Sequence, residues 1–155
     1  MTAESLWPYA LEVWGRPGVE PLLLGLQDGH GQCAPYLLWS LWMAASGRAA
    51  DDAALRSGAA LARAWRDAAI APLRRLRRDL KTDPRLGPGP SRERLRQGVG
   101  QLELDAERML LQMLEEASPA PGPGAAPALE SVMRAARAWG GDPPATDLAR
   151  LAELA

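Results

Sequence analysis

The stretch Pro35-Tyr36-Leu37-Leu38-Trp39-Ser40-Leu41-Trp42-Met43-Ala44-Ala45 decides how the chain is read. It holds two of the six tryptophans, carries no charge and is apolar on nearly every side. A helix that is apolar all round belongs at the centre of a bundle. Eleven residues are too few to cross a bilayer, which takes about 20. The stretch therefore predicts a central core helix ending at Ser46-Gly47, with the rest of the chain arranged to cover it.

The composition agrees. In 155 residues there is no Phe, one Ile and little Val, whereas Leu, Ala and Arg dominate. Few β-branched residues and many strong helix formers predict an all-α fold. The length suffices for one core without a disulfide or metal staple. The single cysteine, Cys33, excludes an internal disulfide framework and suits a reducing cytoplasm. Near the N-terminus Glu4 precedes any cation, and Pro8, Glu12 and Arg16 interrupt the apolar residues, which is not the pattern of a signal peptide.

Upstream of the core stretch, Ser5 is placed to cap a helix over Leu6–Trp14, with Trp7, Ala10, Leu11 and Trp14 on one face. Gly15-Arg16-Pro17-Gly18 ends it, and a second helix runs from about Val19 or Pro21 to Asp28, closed by Gly29 or Gly31. Downstream, Asp51 or Asp52 caps a long helix reaching about Lys81, which Pro72 kinks or splits because it lacks an N–H. The residues 83–90 form a loop, and a second long helix runs from Ser91 to Ala117. Its apolar residues Leu95, Val99, Leu102, Ala106, Met109 and Met113 step by four and three, the seam of a paired helix. The expected architecture is a helical bundle with a protruding, long antiparallel helical hairpin and a short C-terminal helical segment. The expected domain spans residues 1–117, followed by a Pro/Gly linker at 118–127 and loosely attached short helices within 128–155.

The N-terminal part resembles a small bacterial family known as a domain of unknown function. The likeness rests on Ser5-Leu6-Trp7, Arg16-Pro17-Gly18-Val19, Leu26-Gln27-Asp28-Gly29-His30-Gly31, Leu41-Trp42 and the run from Pro72-Leu73-Arg74 to Lys81. It covers roughly residues 5–117. Similar sequences carry Asp-Val-Asn just after the His-Gly pair, where this chain has Cys33-Ala34-Pro35. The resemblance implies no activity.

Three constellations are candidates for function. Asp28, His30 and Cys33 include the chain's only His and only Cys, so a metal site or a base–nucleophile pair competes with a plain helix C-terminus. A closed zinc site needs four ligands and no second His or Cys exists, so no metal is expected and the structural role is preferred. Trp39 and Trp42, with Trp7, Trp14 and Trp65, either fill a core without Phe or line an apolar ligand pocket beside Asp28 and His30. Gln27, Asp28 and Ser40 are the expected acceptors for their indole N–H groups.

The third constellation is the hairpin tip. Arg74, Arg75, Arg77, Arg78, Lys81, Arg85, Arg92, Arg94 and Arg96 face only Asp79, Asp83 and Glu93, a local charge of +6 in a chain of net −1. Such a tip fits an acidic protein surface or another anionic partner, with solvation of the face as the alternative. No aromatic residue lies among these arginines, which disfavours base stacking and sequence-specific nucleic-acid contact. No phosphate-cradling, dinucleotide-binding or zinc-protease motif is present, and no cofactor is expected. The leading expectation is a non-enzymatic cytoplasmic interaction or adaptor protein working through the basic tip or the heptad face. The alternative is a binder of a small apolar ligand, or a minor enzyme, working through a tryptophan-lined pocket.

Overall fold

The computed structural model describes residues 5–155, and over that range it is all-α. The leader-peptide reading of Glu4 and the expected domain start at residue 1 lie outside the described residues. The elements are α1 (Leu6–Trp14), α2 (Val19–His30), α3 (Ala34–Ala45), α4 (Asp52–Trp65), α5 (Ala71–Thr82), α6 (Pro90–Glu116), α7 (Ala128–Trp139) and α8 (Ala145–Leu154). Among the described residues no helix is long and apolar enough to cross a membrane.

The core stretch becomes α3 and is buried from Ala34 through Met43. Helices α1, α2, α4, α6 and α7 all pack on it. Its polar groups are satisfied in place. The Tyr36 hydroxyl donates to the Leu55 carbonyl at 2.9 Å and the Ser40 hydroxyl to the Leu37 carbonyl at 2.7 Å. Gly58 admits the Trp39 indole, because a Cβ there would stand 2.5 Å from two of its ring carbons.

Asp51 caps α4, accepting from the Ala54 N–H at 2.8 Å. Ahead of Pro72 the backbone widens into a π-helical turn over Arg66–Ile70, closed by the Ala71 N–H on the Arg66 carbonyl. A proline nitrogen cannot donate to the preceding turn, and the wider turn redistributes the carbonyls while keeping the helical path continuous. Thus the expected kink is a change of helical pitch between α4 and α5. Helix α5 then packs most extensively on α6, forming the hairpin.

The hairpin seam differs from its expected register. Val99 and Ala106 are buried as expected, but Leu95, Leu102 and Met109 are 58%, 55% and 45% exposed. The buried set is instead Val99, Glu103, Ala106, Leu110, Leu111 and Leu114. A carboxylate thus holds a core position. Arg74 Nε and Arg77 Nε donate to it from α5 at 2.9 and 2.6 Å. That pairing sets the rotation of α6 against α5.

The C-terminal segment is not loosely attached. Val132, Ala135, Ala136, Trp139, Leu148 and Leu151 belong to the same buried core as α3. Trp139 packs its ring 5.5 Å from that of Tyr36 and donates its indole N–H to the Gly31 carbonyl at 2.7 Å. The guanidinium groups of Arg63 and Arg66 lie over the same ring at 4.4 and 5.0 Å from its centroid. Helix α8 packs on α2 and α7, and Arg16 donates to the Leu154 carbonyl at 3.2 Å. Even the Pro/Gly segment is tied down, with the Gly122 N–H on the Gly47 carbonyl at 2.9 Å and Arg48 on the Pro119 carbonyl at 2.7 Å. Short amphipathic helices are marginal alone and gain their stability from tertiary burial, which is how α7 and α8 are held.

Candidate functional site

The residues expected to form a pocket are not brought together. Trp39 and Trp42 are each 1% exposed and fill the centre of the core. His30 ends α2 on the exposed surface, and Asp28 is exposed as well, 3.4 Å from Arg78. Cys33 is buried, and burial pushes its thiol up to about 11, which leaves it an inert core residue. Among the described residues no group of three or more His, Cys, Asp or Glu is placed to hold a metal ion. The indole of Trp39 donates to the Ser118 hydroxyl at 2.8 Å and that of Trp139 to Gly31. These acceptors come from distant segments and are none of the three neighbours expected from sequence.

The basic tip is divided. Arg74 and Arg77 turn inward, the first bridging Glu103 and Glu107, the second gripping Glu103. Arg78 pairs with Asp28, Arg85 with Asp83 and Arg96 with Glu93. Arg75, Lys81, Arg92 and Arg94 make no ion pair with a carboxylate among the described residues, although Arg94 donates to the Ser91 hydroxyl at 3.2 Å. Three carboxylates from outside the window, Asp28 of α2 and Glu103 and Glu107 of α6, therefore offset half of the apparent excess charge. Sequence counting over 74–96 could not register this, because Asp28, Glu103 and Glu107 lie outside that window.

The structure opens a different concavity, a cleft of about 510 Å³ between the N-terminal helices and the hairpin. Helix α1 supplies Trp7, Leu11 and Trp14, α2 supplies Leu24, α3 supplies Pro35 and Leu38, and α6 supplies Leu104 and Leu111. Its polar wall is the Arg74–Glu103–Arg77 cluster with Glu107, joined by Glu20 and Gln27 from α2. Gly100 lets Arg77 lie flat across α6, since a Cβ there would stand 3.3 Å from the Arg77 Cδ.

The two carboxylates of this wall are tuned in opposite directions. Burial raises Glu103, but hydrogen bonds from Arg77 and Arg74 and their charges outweigh it, leaving the carboxyl below its ordinary range. Glu107 is raised, because burial outweighs the attraction of Arg74 and the charge of Glu103 opposes a second anion nearby. The cleft thus combines apolar lining with an ionic cluster in which Arg74 and Arg77 meet Glu103 and Glu107, and Glu20 adds a further carboxylate. No Ser, Thr, Cys or His lines it.

Sequence reasoning placed Trp7, Leu11 and Trp14 on one face, and preferred core filling over a ligand pocket for the tryptophans. The structure buries Leu6, Ala10 and Val13 and leaves Trp7 and Trp14 half-buried at the cleft. The available signal was Glu103 itself, a carboxylate within the buried helix face, which calls for cationic partners on the facing helix. Comparison with curated proteins and with solved structures finds no match. One family model does match, over residues 5–114, and spans α1 through nearly all of α6. With cleft, hairpin and Arg–Glu cluster all inside that match, the chain belongs to the DUF2390 family, described as a protein of unknown function.

Proposed function

We propose that the chain is a non-enzymatic cytoplasmic binding protein, and that its site is the cleft between α1, α2 and the hairpin. The observation that carries this reading is the cleft's composition. Two tryptophans and several leucines converge on one concavity of about 510 Å³, with a small set of charged groups from α2, α5 and α6 among its lining. Ligand sites of small molecules are typically concave, largely apolar spaces of about 300–1,000 Å³ with a few fixed polar groups. The ligand class is accordingly a small, mainly apolar molecule. Trp7 and Trp14 provide flat contact surfaces, and the Arg74–Glu103–Arg77 cluster orients the ligand's polar end.

The test is titration with a neutral, environment-sensitive dye such as N-phenyl-1-naphthylamine, read by dye emission and by quenching of tryptophan. The expected result is saturable one-to-one binding that is lost in Leu104→Arg and Leu24→Arg, both at exposed positions of the cleft rim. Absence of saturable binding, or binding indifferent to both changes, counts against the cleft.

A second reading keeps an anionic partner at the hairpin tip. It is supported by Arg75, Lys81, Arg92 and Arg94, which have no carboxylate partner among the described residues. Such contact weakens steeply with salt, and reversal of Arg75 and Arg94 to Glu removes it without loss of stability.

A further inference from the structure

The flank of the hairpin turned away from the cleft carries an apolar line that the fold leaves uncovered. Leu95, Leu102 and Met109 follow one another at seven-residue intervals along α6 and are 58%, 55% and 45% exposed. At 1.5 Å per residue the line is about 21 Å long. Leu104 lines the cleft, and two residues of helix turn the chain through about 200°, so Leu102 faces the opposite way. On α5, Leu76 is a further exposed apolar residue, at 45%, one position before Arg77 of the cleft. A seven-residue apolar repeat is the pattern by which one helix packs along another. Here Val99 and Ala106 serve the hairpin and the second line remains free.

The distribution of charge selects the occupant. The first half of α6 carries Arg92 and Arg94 outside any ion pair among the described residues, Arg96 being held by Glu93. Its second half carries Asp105 and Glu116, exposed and likewise outside any ion pair, whereas Glu103 and Glu107 face the cleft and are taken up by Arg74 and Arg77. A second α6 running antiparallel lays each basic half along an acidic half, whereas a parallel one stacks like on like. We infer that the chain forms an antiparallel dimer of twofold symmetry through this flank, with Leu102 of each protomer on the axis and Leu95 of one against Met109 of the other. The same patch on both copies is the arrangement a twofold interface requires. This surface is distinct from the cleft, and its test does not depend on the ligand.

The full chain is examined by analytical ultracentrifugation over a concentration series, with circular dichroism as the folding control. The expected result is a reversible dimer whose dissociation constant rises by about a hundredfold in Leu102→Glu, which opposes two like charges on the axis. Its melting temperature stays close to the parent's. Single cysteines then report the geometry, since Cys33 is buried and supplies no competing thiol. Under mild oxidation Leu102→Cys cross-links to itself. Leu95→Cys and Met109→Cys cross-link only when mixed. A wild-type chain that stays monomeric overturns the inference, as does a dimer indifferent to Leu102→Glu. Self-cross-linking of both Leu95→Cys and Met109→Cys overturns the antiparallel geometry.

Discussion

Deleting residues 118–155 is expected to unfold the bundle. Among the side chains removed, Val132, Trp139, Leu148 and Leu151 are large and at least 96% buried. Burial of a large apolar side chain is worth about 1.5–3 kcal/mol, so these four account for about 6–12 kcal/mol. The truncated chain does not lose that burial directly, since the side chains leave with the segment. It loses the cover they provide to α2, α3 and α4, a surface of comparable area that includes the ring of Tyr36. A domain of ordinary stability has about 5–15 kcal/mol in total. The deletion therefore removes a quantity of the same size as the whole stability. Within the full chain, Trp139→Ala isolates the largest contact and is expected to cost about 3–5 kcal/mol, including the indole hydrogen bond to Gly31 and the stacked guanidinium groups of Arg63 and Arg66. Thermal and urea unfolding followed by circular dichroism measure both. A fragment 1–117 that melts cooperatively within a few degrees of the full chain would refute the assignment of α7 and α8 to the core.

Glu103→Gln should destabilise by about 3 kcal/mol, or about 6–12 °C in melting temperature, because it breaks a buried pair, leaving Arg77 without a carboxylate and Arg74 with Glu107 alone. The lowered Glu103 carboxyl fixes the sign with pH. Its stabilisation is full above the ordinary Glu range and is lost as pH falls through its lowered folded value, so the gap between parent and variant should narrow on acidification. Leu102→Asp should change monomer stability by less than about 1 kcal/mol, as surface substitutions do, whereas Val99→Asp should cost several times that, because it buries an unpaired charge. Chemical unfolding of the two side by side tests the hairpin register. Gly58→Ala should destabilise measurably, since the added methyl meets the Trp39 ring rather than a flexible side-chain end. A melting temperature equal to the parent's would show that Trp39 can move.

What the chain's local pattern determined by itself is the set of helices and their ends. The run from Pro35 to Ala45 has no polar face, so its only stable place is the centre, and there it lies. Gly15-Arg16-Pro17-Gly18, Gly31 and Asp51 mark ends through backbone requirements that need no tertiary partner. Pro72 announced an irregularity because its missing N–H is a local fact, although the wider turn that absorbs it was not specified.

The tertiary structure decided which faces meet. Helix α6 carries adjacent apolar lines, and periodicity cannot choose between them. The choice falls to Glu103, whose carboxylate must be turned toward Arg74 and Arg77, and that rotation buries Val99 and Ala106 while exposing Leu95, Leu102 and Met109. Tertiary pairing likewise offset half of the apparent charge of the hairpin tip through Asp28, Glu103 and Glu107, and placed Arg74 and Arg77 along the cleft. The place of Trp139 against Tyr36 lay beyond sequence for the same reason: a short amphipathic helix records that it has an apolar face, but burial energy depends on the surface it meets, which lies a hundred residues away.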